Sequence, residues 1–228
     1  MPEYRNRVQG RSIEKDERWD MLAKLQAQQL SHPSGLVGRL ILAPMWNRRN
    51  SALNDVALER LDLRPDDLVL EVGFGGGYLI GRMAAVVTEG RLAGLDVSQA
   101  MVDVCSKRFR ALIQAGRLDL QCASAESLPY PDGHFTKACT VNSIFYWLDA
   151  QQVIREFGRV LETGARLVMC FTCPESLRGK PFSQHGLKLY QVEQVEQMMR
   201  TAGLAQVSVT RHADRHRQFC SMVGQKHA

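Results

Sequence analysis

The stretch "LEVGFGGGYL", residues 70–79, sets a carboxylate, Glu71, two residues ahead of four glycines in five positions: Gly73, Gly75, Gly76 and Gly77. Glycine allows turns at positive φ and leaves no Cβ between backbone and ligand. An apolar strand that ends in such a loop, just ahead of a helix, is a place to hold a small molecule. The residues around the glycines say which kind. A P-loop closes on Gly-Lys-Ser/Thr, and none follows here. The dinucleotide fingerprint G-x-G-x-x-G fails in both frames, since its third glycine falls on Tyr78 counted from Gly73 and on Ile80 counted from Gly75. What stands is E-x-G-x-G-x-G over residues 71–77. A carboxylate ahead of the turn repels a phosphate and favours an ammonium or a sulfonium. A second acid, Asp96, closes the apolar run "RLAGLD", 23 residues beyond Gly73. That is close to the spacing at which an acid takes the two hydroxyls of a ribose, a bidentate, charge-assisted pairing.

The elements that must position these residues follow from periodicity. Residues 14–31 are charged and Gln-rich, with Trp19, Leu22, Leu25 and Gln29 near helical spacing. After the breaker "HPSG" at 32–35, residues 36–62 again read as mostly helical, with Asn50 or Ser51 able to cap. From residue 67 onward strands and helices alternate. The predicted strands are "DLVLEVG", "RLAGLDVS", "RLDLQCAS", "FTKACTVNS", "ARLVMCFTC", "LAQVSVTRH" and "RQFCSMVGQK". The predicted helices are "GYLIGRMAAVV", "SQAMVDVCSKRFRALIQAG" (Ser98 as N-cap, Gly116 as stop), "DAQQVIREFGRVLETG" and "LYQVEQVEQMMRTAG". Alternation of this kind means an α/β protein with a mostly parallel sheet. The last two strands lack an intervening helix and are expected to pair antiparallel. The expected fold is a Rossmann-like, doubly wound sheet of seven strands with an antiparallel C-terminal hairpin. Residues 1–50 form a helical lid or extension and residues 51–228 the core.

"VLEVGFGGGYL", "GLDVSQAMVDVC" and "ASAESLPYPDGHFTKACTVNSIFYW", followed by "FGRVLETGARLVM", resemble the class I S-adenosylmethionine-dependent methyltransferases. The similarity is to the small-molecule branch that includes ubiquinone and menaquinone methyltransferases. It runs through roughly residues 65–225, with each motif at a strand end and all in order. The resemblance implies S-adenosyl-L-methionine as cofactor and S-adenosyl-L-homocysteine as its product. It implies that Gly73, Gly75 and Gly77 line the methionine and ribose portion, that Glu71 lies near the methionyl ammonium, and that Asp96 takes the ribose. Val97 and Met101 would flank the adenine, Ala125 would present its backbone to the adenine edge, and Asn142 would lie next to the methionine. The family has Asp ahead of the "AE" pair as acceptor for the adenine amino group, and here that residue is Ser124. A hydroxyl accepts less strongly, so Glu126 is a candidate to compensate.

The chemistry so implied is in-line displacement at a sulfonium, which needs alignment and a dry pocket. A general base helps where the acceptor is a hydroxyl or a protonated amine. Tyr146, within "FYW" at 145–147, is the candidate pocket residue, and an aromatic wall suits a flat or apolar acceptor and a sulfonium. His185, in the loop "PFSQHGLKLY", is the candidate base. The acceptor is expected to be a small metabolite or natural-product intermediate. An RNA or protein methyltransferase and a catalytically silent cofactor-binding module stay open as alternatives. DNA is not expected, since "NSIFYW" stands where amino-methylating DNA enzymes carry [DN]-P-P-[YF].

Composition bounds the rest. The 228 residues are 45% hydrophobic and 23% charged with a net charge of +5, an ordinary globular balance. Mean hydropathy is −0.23, and no apolar run reaches the roughly 18 residues of a membrane span. The six cysteines sit in apolar contexts and read as reduced thiols in the cytoplasm. Cys170 and Cys173 form C-x-x-C, but residues three apart on a strand face opposite ways, so no metal site is expected. Oligomeric state is left open between monomer and homodimer.

Overall fold

The structure, a computed structural model, describes residues 50–179 and 187–227. Residues 1–49 of the expected lid over 1–50, and the candidate base His185, lie outside the described residues. Helix α1 (Ser51–Leu61) leads into β1 (Leu68–Val72), the glycine loop, and α2 (Tyr78–Met83). Next come β2 (Arg91–Asp96), α3 (Gln99–Arg108), α4 (Arg110–Gln114) and β3 (Leu118–Cys122). After β4 (Phe135–Val141) a 3₁₀ turn (Ile144–Tyr146) precedes α5 (Ala150–Val160) and β5 (Leu161–Thr172). The chain continues through α6 (Pro174–Leu177) and α7 (Val192–Thr201) to β6 (Leu204–Ala213) and β7 (Gln218–Lys226).

The seven strands form one sheet in the order β3-β2-β1-β4-β5-β7-β6. Strands β1 to β5 pair in parallel, and β7 runs antiparallel to both β5 and β6. β1 lies between β2 and β4, so the strand order reverses there and a crevice opens beyond the carboxyl ends of these strands. Side-chain alternation feeds two cores. Leu70, Val72, Leu167 and Met169 meet Val153, Ile154 and Phe157 of α5 and Val195 and Met199 of α7 on one face. Val69, Cys139, Val168 and Cys170 meet α1, α2 and α3 on the other. Cys170 and Cys173 fall into different cores, although Cys173 lies one residue beyond β5, at the N-cap of α6.

Two boundaries differ from the sequence reading. The helix expected over 98–116 divides at Phe109, where the backbone leaves the helical region at φ −106°, ψ 23°. The Phe109 ring fills the space beside Gly77 and takes the Arg108 guanidinium over its face, at 4.9 Å from the centroid. Ser98 occupies the N-cap position without a side-chain cap hydrogen bond, whereas Gly116 does stop the second helix at φ 67°. The second difference is at "LETG", read as the end of a helix. It is the start of β5, and its register against β4 jumps between Leu161 and Arg166. That irregularity is a bulge containing Gly164 at φ 82°, a conformation that glycine adopts at little cost.

Candidate functional site

A cavity of about 280 Å³ opens at the carboxyl ends of β1, β2 and β4. Ten of the sequence-predicted site residues line it: Gly73, Gly75, Asp96, Val97, Met101, Ser124, Ala125, Glu126, Asn142 and Tyr146. Glu71 and Gly77 do not, and His185 is outside the described residues. The sequence reading missed Val72, Leu95, Ala123, Val141, Ser143, Trp147 and Leu148. All but Ser143 are strand-end or loop apolar residues whose types carry no chemical signal.

Asp96 is the organising group. It ends β2 at 8% exposure, with Oδ2 accepting from the Gly75 N–H at 2.9 Å and Oδ1 from the Ser98 N–H at 2.9 Å. A carboxylate has about four lone-pair sites. The two backbone donors fix the plane of the carboxylate at the cavity wall. The glycine loop is held from below as well. The Arg108 guanidinium donates to the Gly76 carbonyl at 2.9 Å, and the Cys105 thiol donates to the Gly75 carbonyl at 3.4 Å.

The three motif glycines have different jobs. A Cβ on Gly75, which sits at φ 49°, would meet nothing within 4 Å, so this position faces open space. A Cβ on Gly73 would stand 2.2 Å from Ser143 Oγ, the hydroxyl that donates to the Val72 carbonyl at 3.2 Å. A Cβ on Gly77 would stand 2.7 Å from the Phe109 ring and 2.8 Å from Cys105 Sγ. Gly77 therefore permits α2 to pack on α3 and does not touch the cavity, unlike the role the resemblance implied.

Glu71 is not among the lining residues either. Strand alternation points it to the same side as Val69, under the loop and away from the cavity. It is 3% exposed, and its Oε2 has no hydrogen-bond partner among the described residues. Burial first, and then the charge of Asp96, push its pKa up to about 8, with the Ile80 N–H pulling the other way.

Asn142 lines the cavity at φ 56°, yet its amide is committed elsewhere. Its Oδ1 accepts from the Thr172 N–H at 2.9 Å and the Thr172 hydroxyl at 3.1 Å, and its Nδ2 donates to Asn50 Oδ1 at 3.0 Å. Arg217 donates to the same Asn50 oxygen at 2.9 Å and to Thr172 Oγ1 at 3.2 Å. Asn142 is thus a brace between β4, β5, β7 and α1. Tyr146 faces the cavity, and burial pushes its phenol up to about 12, which keeps the proton on the oxygen at neutral pH. It is a hydrogen-bond donor there and not a base.

The motif "ESLPYPDGHF" is largely a brace too. Arg159 of α5 donates to the carbonyls of Leu128 at 2.9 Å and Tyr130 at 2.8 Å and pairs with Asp132 at 2.8 Å. Ser124 donates its hydroxyl to Glu126, and the other Glu126 oxygen accepts from the Leu148 N–H at 2.9 Å. Glu126 thereby ties the loop after β3 to the loop after β4.

The cavity lining carries two carboxylates, Asp96 and Glu126, and no Lys, Arg or His among the described residues. Its remaining walls are mostly apolar. Such a site suits a nucleoside joined to a cationic group and is unsuited to a phosphate. Among the described residues, no group of three or more His, Cys, Asp or Glu is arranged to hold a metal ion. All six cysteines are free thiols. No helix among the described residues is long and apolar enough to cross a membrane.

Residues 70–169 match the methyltransferase domain family. The chain is 34% identical over 134 residues to 2-phytyl-1,4-naphtoquinone methyltransferase of Synechococcus elongatus, which covers 55% of this chain and 58% of that protein. It spans about three-fifths of the length of the curated relatives it first matches. Among solved structures, the [4+2]-cyclase SpnF superposes with a TM-score of 0.68 at 22% identity, over 93% of this chain and 94% of that one. Geranyl diphosphate C-methyltransferase from Streptomyces coelicolor A3(2), in complex with Mg2+, geranyl diphosphate and S-adenosyl-L-homocysteine, superposes with a TM-score of 0.66 at 18% identity. The overlap is 78% of each chain. At these identities the likeness is one of fold, and the chemistry has to be argued from the site.

Proposed function

We propose, from the match of residues 70–169 to the methyltransferase domain family, that the chain is a class I, S-adenosylmethionine-dependent enzyme that transfers a methyl group to a small organic acceptor. One observation carries the reading. A single cavity joins the doubly held carboxylate of Asp96 to the open face of Gly75, with two carboxylates and no cation among its described lining residues.

The residues present fit S-adenosylmethionine. Asp96 would hold the ribose hydroxyls, Val97 and Met101 would bound the base, and the glycine loop would admit the methionine chain. When bound, the cofactor supplies an electrophilic methyl on a sulfonium, so the leaving thioether is neutral. The chain's own task is then to orient and to exclude water. Tyr146 would donate a hydrogen bond to the acceptor and present its ring to positive charge. His185 is proposed as the base for an acceptor that must lose a proton. Residues 1–50 are proposed as the lid, a reading supported by Asn50, which reaches the cavity rim through Asn142. The six free thiols favour a cytoplasmic location for such an enzyme.

Calorimetric titration with S-adenosylmethionine, S-adenosylhomocysteine and NAD tests the reading. Micromolar binding of the first two without NAD is expected, followed by acceptor screening with methyl-labelled cofactor. Binding of NAD alone, or of none, would overturn it. In the screen, His185→Ala is expected to lower turnover at saturating cofactor, and an unchanged rate would remove His185 as the base.

A further inference from the structure

The glycine loop closes as a β-turn. The Gly77 N–H donates to the Phe74 carbonyl at 2.8 Å, which makes Gly75 and Gly76 its two central residues. Gly75 stands at φ 49°. With glycine at both central positions, the chain itself does not choose between the two orientations of the peptide that joins them. A group outside the turn has to choose.

That choice falls to the far end of α3. The Cys105 thiol donates to the Gly75 carbonyl at 3.4 Å, and the Arg108 guanidinium to the Gly76 carbonyl at 2.9 Å. Residues three apart share a helix face, so one face of one helix takes two consecutive carbonyls of the turn. Neither Cys105 nor Arg108 lines the cavity. In a trans peptide the C=O and the N–H point opposite ways. Arg108 on the Gly76 carbonyl therefore keeps the Gly77 N–H aimed at Phe74, and the turn stays closed. Burial, above all, pushes the Cys105 thiol up to about 12, so it keeps its proton and stays a donor.

The break at Phe109 sets the reach of Arg108. The ring packs beside Gly77, and the exposed guanidinium of Arg108 rests over its face at 4.9 Å while donating to Gly76. Met101, near the start of α3, lines the cavity, and Arg108 lies two turns further along, about 10 Å down the axis. One helix thus bounds the cavity at one end and holds the glycine turn at the other.

Resting on the cofactor reading above, we infer that Arg108 is a positioning residue for the amino-acid part of S-adenosylmethionine. With Cys105 it draws the turn carbonyls toward α3, so that these oxygens do not face the ligand's carboxylate. The nucleoside, held from β2 and the start of α3, does not depend on it.

The test is calorimetry on the full chain with S-adenosyl-L-homocysteine and methylthioadenosine, which share the nucleoside and the thioether and differ in the amino-acid part. The wild type is expected to bind the first about a hundredfold more tightly, the scale of two hydrogen bonds to charged groups. Arg108→Met keeps an unbranched stem over Phe109 and removes the donor. It should cut that ratio by about tenfold, the scale of one such bond, with the affinity for methylthioadenosine unchanged. Arg108→Lys restores a donor and should recover most of the ratio. A role confined to packing would weaken both ligands alike, and Lys would not repair it. Equal binding of the two ligands by the wild type overturns the inference and leaves the cofactor reading intact. So does a ratio unchanged in Arg108→Met, a parallel loss of both ligands, or a Lys variant that behaves as Met does. Binding of neither ligand by the wild type overturns the cofactor reading, and the inference with it.

Discussion

On the β2 side of the cavity, Asp96 accepts one backbone N–H on each oxygen, from Gly75 and from Ser98. On the β4 side, Asn142 touches the same cavity, and its amide oxygen accepts from Thr172 while its NH2 donates to Asn50. Both are polar residues at strand ends, and both line the cavity. The first is held by its neighbours so that it can bind; the second holds its neighbours in place. A strand-end position alone does not separate these roles. The partners do: Asp96 bonds the glycine loop that lines the cavity, whereas Asn142 bonds Thr172 and Asn50, which lie outside the lining.

The largest effect expected from this contrast concerns Glu71, the acid that points away from the cavity. Its folded pKa of about 8 lies above the usual carboxylate range, so the folded protein binds a proton that the unfolded chain has already released. That contribution is fully present below about pH 4.5 and is lost as pH rises toward 8. Glu71→Gln should therefore gain stability over the wild type as pH rises, on the order of 4 kcal/mol by pH 8. Denaturant unfolding at pH 5 and pH 8 reads this directly, and a difference independent of pH would show that Glu71 is solvated.

Asp96→Ala comes next. Cofactor affinity should drop by on the order of 1.5–3 kcal/mol, the worth of a charged hydrogen bond. Unchanged affinity for S-adenosylhomocysteine would mean that β2 does not carry the ribose site. Asn142→Ala tests the opposite wall. Loss of its bonds to Thr172 and Asn50 should lower stability by about 1–3 kcal/mol, with cofactor affinity nearly constant. A loss of affinity at full stability would erase the distinction between the two walls. The smallest effect is expected for Tyr146→Phe, where removing one donor should slow turnover by less than about tenfold. Because the phenol stays protonated up to about pH 12, the rate profile of the wild type should show no step from this group between pH 6 and 9.

The glycine loop and Asp96 were legible because their chemistry is local. An acid at the end of an apolar run, at a fixed distance from a glycine turn, is a pattern in the chain itself. The strand order beyond β5 was legible only in part. Two strands without a helix between them must pair antiparallel, but that β7 inserts between β5 and β6 depends on which apolar faces fill the core. The break at Phe109 had no local signal, since the ring leaves the helix to pack beside Gly77, 32 residues earlier.

Residue type and spacing by themselves determined the fold class, the crevice and the acid that faces it, because each follows from alternation, turn chemistry and charge along the chain. Only the tertiary structure decided what each polar group does there. Glu71 points under the loop because the pleat turns it toward α2. Gly77 serves helix packing because Phe109 and Cys105 close on it. Glu126 ties two loops together because the Leu148 N–H, from the loop after β4, reaches one of its oxygens. Those outcomes rest on hydrogen bonds and contacts between segments far apart in the chain, which exist only once the sheet has brought them together.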